Sequence, residues 1–233
     1  MKIAVMQPYT FPYIGYFQLV YACDVFVFYD DVNFIKKGYI NKNFLLHKGK
    51  RTPFTFPCKA ISQNKTIRDT ELNITPAFAE KCCKTLEHNY KKAPFFEDVF
   101  PLIAQYITHF QERSIAAFAQ GSIRLVCDYL GIERRFIQSS EAYDNAHLKG
   151  ENRILDIAVR EQAKTYINPI GGKTLYTKDH FEKKGISLQF LEPKRIAYPQ
   201  FQDEFVPWLS IIDVLMFNDK KTTVGYLKKY TLS

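Results

Sequence analysis

The chain has 233 residues, 46% of them hydrophobic and 24% charged, with 10 Gly, 11 Pro and 20 Phe, a balance that excludes disordered, collagen-like and coiled-coil proteins. A net charge of +8 favours an anionic partner, without choosing among phosphorylated small molecules, nucleic acid and an acidic membrane surface. Five cysteines without a Cys-x-x-Cys pair read as a reducing compartment.

The apolar run Ile3 to Met6 is too short for a signal-peptide core or a membrane span, so the expected location is cytoplasmic. This run and a second, Val25 to Tyr29, are continuous rather than alternating, which suits parallel strands covered on both faces. Between them Ile14, Phe17, Val20 and Tyr21 recur at helical spacing from just after Pro12, so the first thirty residues predict a strand, a helix and a strand. Residues 32 to 75 carry Gly38, Gly49, Pro53 and Pro57 among short β-prone pieces and predict an extended or hairpin-rich insertion that projects from the fold. From 76 to 131 the pattern is helical, with breaks expected at Pro94 and Pro101 and a stop at Gly131; three helices fit.

The alternation then resumes. Strands are expected at Arg135 to Gln138, Thr165 to Asn168 and Ser187 to Leu191, with helices at Lys149 to Ala163 and Leu175 to Lys184 between them. Helices from Trp208 to Asn218 and from Thr222 to Tyr230 close the chain. The fold class that follows is α/β: one domain over 1–233 with an open, mainly parallel Rossmann-like sheet, an inserted extended segment and a helical segment.

In such sheets ligands sit beyond the carboxyl ends of the strands. There the sequence offers Gln7, Asp30 and Asp31, Ser139, Asn168 and Glu192. Neighbouring strand residues point to opposite faces, so at most one of Asp30 and Asp31 faces a given pocket. Gly171 and Gly172 let backbone N–H groups approach an anion closely, although the spacing is not that of a Walker A loop. Asp213, in a helix that is apolar on most sides, needs a partner such as a lysine, an arginine or a helix start. No His or Cys spacing resembles a zinc site, and no metal is expected.

The blocks Met6-Gln7-Pro8-Tyr9-Thr10-Phe11-Pro12-Tyr13-Ile14-Gly15-Tyr16-Phe17, Asp30-Asp31-Val32, Lys37, Ile40-Asn41-Lys42-Asn43, Tyr166 to Gly172 and Ser210 to Asn218 resemble the WbqC-like proteins of bacteria nearly end to end. The resemblance implies a link to O-antigen and other surface polysaccharides, and transfer of glycine or a related acyl group to a sugar. In spacing, Tyr13-Ile14-Gly15-Tyr16-Phe17-Gln18-Leu19 is also similar to the His-x-Gly-His-x-x-Leu signature of adenylate-forming nucleotidyltransferases and pantothenate synthetases. Tyrosines stand in place of both histidines. They stay neutral where histidine can carry charge, but still offer hydroxyls to phosphate or carboxylate oxygens.

The leading expectation is therefore a transferase of an aminoacyl or acyl group to an amino-sugar nucleotide. A non-catalytic nucleotide-sugar-binding or assembly protein is the alternative, and no nucleic-acid module is evident. Asp30 and Tyr16 are the candidate catalytic groups. Gln7, Tyr13, Gly15, Lys37, Asn41, Asn43, Ser139, Asn168, Gly171 and Gly172 are the candidate substrate contacts, most of them expected in one pocket at the strand ends. The expected partner is an anionic small molecule of the nucleotide-sugar kind, and the cofactor stays open, with ATP and a nucleotide-sugar as the two that fit.

Overall fold

A computed structural model describes residues 1–202 and 204–233. Strands β1 (Lys2–Met6), β2 (Val25–Phe28), β5 (Arg135–Ile137), β6 (Thr165–Pro169), β7 (Ser187–Pro193) and β8 (Tyr230–Leu232) form one sheet in the order β5-β2-β1-β6-β7-β8. All neighbours pair in parallel except β7 and β8. From β1 the chain proceeds to β2 on one side and later fills β6 on the other, so the order reverses between β1 and β6, the switch point of a doubly wound sheet. The fold is thus the expected α/β class, with the two N-terminal runs side by side inside the sheet.

Strand period sorts side chains onto two faces. Ile3, Val5, Val25, Val27, Tyr166 and Leu188 pack with α5 (Gly150–Arg160) and α6 (Lys178–Glu182). Ala4, Phe26, Phe28, Ile167 and Leu191 pack on the opposite side with α1 (Ile14–Ala22), α4 (Ile115–Leu130), α7 (Ile211–Phe217) and α8 (Lys220–Leu227). Helix α1 is enclosed on nearly all sides, from Gly15 to Val20, as befits a helix apolar all round.

Residues 32–75 do contain a hairpin, β3 (Lys42–His47) and β4 (Lys50–Thr55). Lys48 and Gly49 both take positive φ, 48° and 73°, which is the two-residue turn whose twist matches that of the strands. The segment does not project as expected: Phe34, Ile40, Leu45, Phe54, Phe56 and Ile67 are buried in the same core as α1 and α4. Each fully buried side chain of this size contributes about 1.5 to 3 kcal/mol, and that apolar surface holds the segment down.

The helical region has its three helices: α2 (Pro76–Tyr90), α3 (Phe96–His109) and α4. Thr75 and Ser114 cap α2 and α4, and Gly131 ends α4 at φ 70°. Pro101 lies inside α3 instead of breaking it. Its missing N–H removes one helical hydrogen bond, while Phe96, Val99, Ile103 and Ile107 bury one continuous face.

Three C-terminal expectations need correction. The helix predicted from Leu175 to Lys184 is shorter, α6 at Lys178–Glu182, because the chain up to Leu175 is a 3₁₀ turn, Ile170–Leu175. Helix α7 begins only at Ile211, where the Ser210 hydroxyl accepts from the Ile212 N–H, and leaves Trp208 outside. Past α8, Tyr230–Leu232 forms an antiparallel edge strand, unforeseen because three residues carry no readable period. Among the described residues, no helix is long and apolar enough to cross a membrane.

Candidate functional site: a two-chambered cleft beside the first helix

Beyond the carboxyl end of β7, the described residues of the segment 194–209 form a strap beside the start of α1 before the chain enters α7. A cavity of about 430 Å³ lies beneath this strap. Its floor is the start of α1, with Tyr13, Ile14, Gly15 and Gln18. Lys194, Arg195, Tyr198 and Phe205 come from the strap, and Trp208 from the strap's far end. A second cavity of about 280 Å³ adjoins it, lined by Tyr9, Pro12, Tyr13, Tyr39, Asn43, Arg51 and Trp208. Tyr13 and Trp208, with ring centroids 5.9 Å apart, wall both chambers.

Local sequence explains this geometry. Tyr13 is the residue before α1, in extended backbone, and it provides no side-chain cap. Its ring folds back over Gly15, where any Cβ would collide with it. The first turn of α1 carries no acidic residue, so the positive end of the helix dipole is uncompensated and faces a cavity that also holds two cations. Gln18 lies one turn deeper and is fully buried. Its amide N–H₂ donates to the carbonyls of Tyr226 and Lys229, both at 2.9 Å, while its Oε1 has no partner among the described residues.

The roof is pinned by Asp213, which is fully buried in the first turn of α7. Its Oδ1 accepts from the Tyr198 hydroxyl at 2.6 Å and from Gln200 at 2.8 Å, and its Oδ2 accepts from the Tyr90 hydroxyl at 3.0 Å. Burial raises its pKa to about 6, while the three hydrogen bonds pull the other way. Its partners are phenols and an amide, not the lysine, arginine or helix start expected from sequence.

The predicted site residues divide three ways. Tyr13 and Gly15 line the larger chamber, and Tyr13 and Asn43 the smaller. Asn43 is also a strut: its amide donates to the Phe11 carbonyl at 2.8 Å. A second set is consumed by the fold. Tyr16 is 3% exposed and its hydroxyl donates to the Gln7 carbonyl at 2.9 Å, so it ties helix to strand end and lines neither chamber. Asn41 donates to the Phe56 carbonyl. Asp30 accepts from Ser139 at 2.7 Å and from Gln120 at 3.3 Å, and burial raises its pKa in spite of the Ser139 bond. Asp31, past the end of β2, turns the other way and pairs with Ser140 and Arg153.

The third set lies elsewhere. Asn168 is on the α5/α6 side, taking the Tyr166 hydroxyl at 3.1 Å. Gly172 lies against its amide, Gly171 has open space, and neither glycine has positive φ. Gln7 is half-buried beside Tyr9, and Lys37 is exposed on a turn. The single pocket expected from Gln7, Tyr13, Tyr16, Asp30, Asn41, Asn43, Asn168 and Gly171 is therefore not assembled in either chamber. Among the described residues, no group of three His, Cys, Asp or Glu side chains is placed to hold a metal ion.

Lys194, Arg195, Gln18, Arg51 and Trp208 escaped the sequence reading. One signal was available: Lys194 and Arg195 immediately follow the last parallel strand, and the rule that singled out Gln7 and Asp30 applies equally there.

Comparison with known proteins agrees with this span of the fold. A protein of Mycobacterium tuberculosis (strain ATCC 25618 / H37Rv), the uncharacterized protein Rv1507c, is 26% identical over 229 residues, covering 97% of each chain. No solved structure matches. A profile of the WbqC-like protein family matches residues 7–224, from the end of β1 to the interior of α8, and the chain belongs to that family.

Proposed function

We propose that the protein binds an anionic small molecule of the nucleotide-sugar class in the cleft beneath the strap and transfers an acyl or aminoacyl group to the sugar's amine. The observation that carries this reading is the convergence of the uncapped start of α1 with Lys194 and Arg195 in one cavity walled by Tyr13, Tyr198, Phe205 and Trp208. Cations and free N–H groups suit a diphosphate; aromatic walls suit a planar base or a sugar face. In the transfer, the sugar amine attacks the carbonyl carbon of an activated acyl donor, the donor's leaving group departs with its bonding pair, and the amine gives up a proton.

The described residues lining the larger chamber include no carboxylate, imidazole or thiol. That observation supports a second reading, a binding or assembly protein without turnover. Thermal stabilisation and calorimetry with nucleoside diphosphates and nucleotide-sugars test the shared part of both: a ligand at about one hundred times its Kd adds about 2.7 kcal/mol to apparent stability. No shift with any nucleotide-sugar overturns both. Incubation of a bound amino-sugar nucleotide with aminoacyl donors, followed by mass analysis for the acylated sugar, then separates the transferase from the binder.

A further inference from the structure

The smaller chamber differs in chemistry from the larger one. Tyr9, Tyr13 and Tyr39 face one another across it, and burial, reinforced by their mutual proximity, raises the phenol pKa of Tyr9 to about 12 and that of Tyr13 above its usual value. These hydroxyls remain neutral hydrogen-bonding groups. Arg51, on β4, lies with its guanidinium carbon 3.6 Å from the centre of the Phe44 ring. Stacking fixes the plane of the fork, and among the described residues no carboxylate lies within ion-pairing distance of it.

Trp208 forms the opposite wall. It is the single tryptophan of the chain, it is 63% exposed, and its φ of 61° lies in the left-handed region. A bulky residue pays a conformational cost there. An indole so open to solvent does not serve core packing.

We propose that the smaller chamber is a sugar subsite selective for a ring that bears a carboxylate, with Trp208 against the C–H face of the ring and Arg51 pairing with the acid. The tyrosine hydroxyls meet the ring's own hydroxyls. The assignment rests on the reading that the larger chamber holds the nucleoside diphosphate, with the shared Tyr13–Trp208 wall marking where sugar and diphosphate join.

The lone tryptophan makes the chamber its own reporter. Binding of uridine diphosphate, UDP-glucose, UDP-glucuronic acid and free glucuronic acid is followed by Trp208 emission and, in parallel, by calorimetry. The expected result is that UDP-glucuronic acid binds roughly tenfold tighter than UDP-glucose, the scale of one charge-assisted pair, and shifts the emission. Arg51→Gln brings the two nucleotide-sugars to equal affinity and leaves uridine diphosphate unaffected; Arg51→Lys, which keeps the charge without the fork, recovers part of the preference. Equal affinities in the parent protein, or a preference that survives Arg51→Gln, overturn the proposal. If uridine diphosphate does not bind but free glucuronic acid still shifts Trp208 through Arg51, the nucleotide reading fails and the acid-selective chamber stands. If neither uronic acid ligand moves the emission, the chamber assignment fails.

Discussion

The two ends of the sheet's carboxyl edge hold similar polar residues and use them in opposite ways. At the tips of β2 and β5, Asp30, Asp31, Ser139, Ser140, Gln120 and Arg153 satisfy one another; every carboxylate there already has partners. Past β7, the start of α1, Lys194 and Arg195 line open space, and among the described residues no side-chain hydrogen bond or ion pair ties either cation. Polarity at a strand end therefore does not distinguish a ligand contact from a structural brace. The distinguishing property is whether the fold leaves the group unsatisfied, because burying an unpaired polar atom is costly enough that a closed network forms wherever it can.

This contrast breaks most visibly if its braced half proves dispensable. Arg153 and Asp31 are almost entirely buried, and Arg153 also donates to Asn145 at 2.9 Å. Arg153→Ala strands a buried carboxylate and should lower unfolding free energy by about 3 to 5 kcal/mol, read from urea denaturation; a loss within the range of a surface substitution would show that the network carries no load.

Asp213→Ala comes next. It leaves Tyr90, Tyr198 and Gln200 with unpaired groups and should cost about 3 kcal/mol, with ligand affinity falling as the roof loosens. The pH dependence has a definite sign. Burial raises the folded-state pKa to about 6 from the ordinary carboxylate value of 3.8, so the folded protein holds this proton more tightly than the unfolded chain does. The group's contribution to stability is complete below pH 3.8 and is lost as the pH rises through about 6. The stability of the parent minus that of Asp213→Asn should accordingly fall between those limits in thermal unfolding; a difference that stays level refutes the assignment.

The open half is sharpened by Arg195→Ala. The expected outcome is a loss of about 1.5 to 3 kcal/mol in nucleotide-sugar binding with stability unchanged within about 0.5 kcal/mol, measured by calorimetry beside denaturation. Tyr16→Phe gives the smallest effect and the reverse pattern. Because its hydroxyl bonds the Gln7 carbonyl inside the core, removal should lower stability by about 0.5 to 1.5 kcal/mol and leave affinity as it was. Weakened binding without a stability change would return Tyr16 to the site.

The scaffold was legible in sequence where short-range pattern decides structure. Ile3 to Met6 and Val25 to Phe28 are continuous apolar runs, and no arrangement other than burial on both faces uses them well. The divergence of Asp30 and Asp31 was also anticipated, although β2 ends at Phe28 and both lie beyond it. The cleft was less legible. Trp208 falls at helical spacing with the residues after it, yet the Ser210 cap starts the helix later and frees the indole. Whether Gln18 is satisfied depends on carbonyls more than 200 positions away. Tyr16 looked available because its partner is a backbone carbonyl, a group present at every position and so invisible to any reading of side-chain types.

The Asp213 carboxylate has a consequence for how such a chain can diverge. The Tyr90 hydroxyl that it holds also accepts from the Leu46 N–H at 2.9 Å, so one residue joins the hairpin, α2, α7 and the strap. Replacing it alone leaves three donors on two elements, α2 and the strap, without their acceptor, and replacing any one partner leaves it short of a bond. A change at position 90, 198, 200 or 213 therefore disturbs the strap and its neighbours together, whereas Lys194 and Arg195, whose side chains carry no such ties among the described residues, can change without unpinning it.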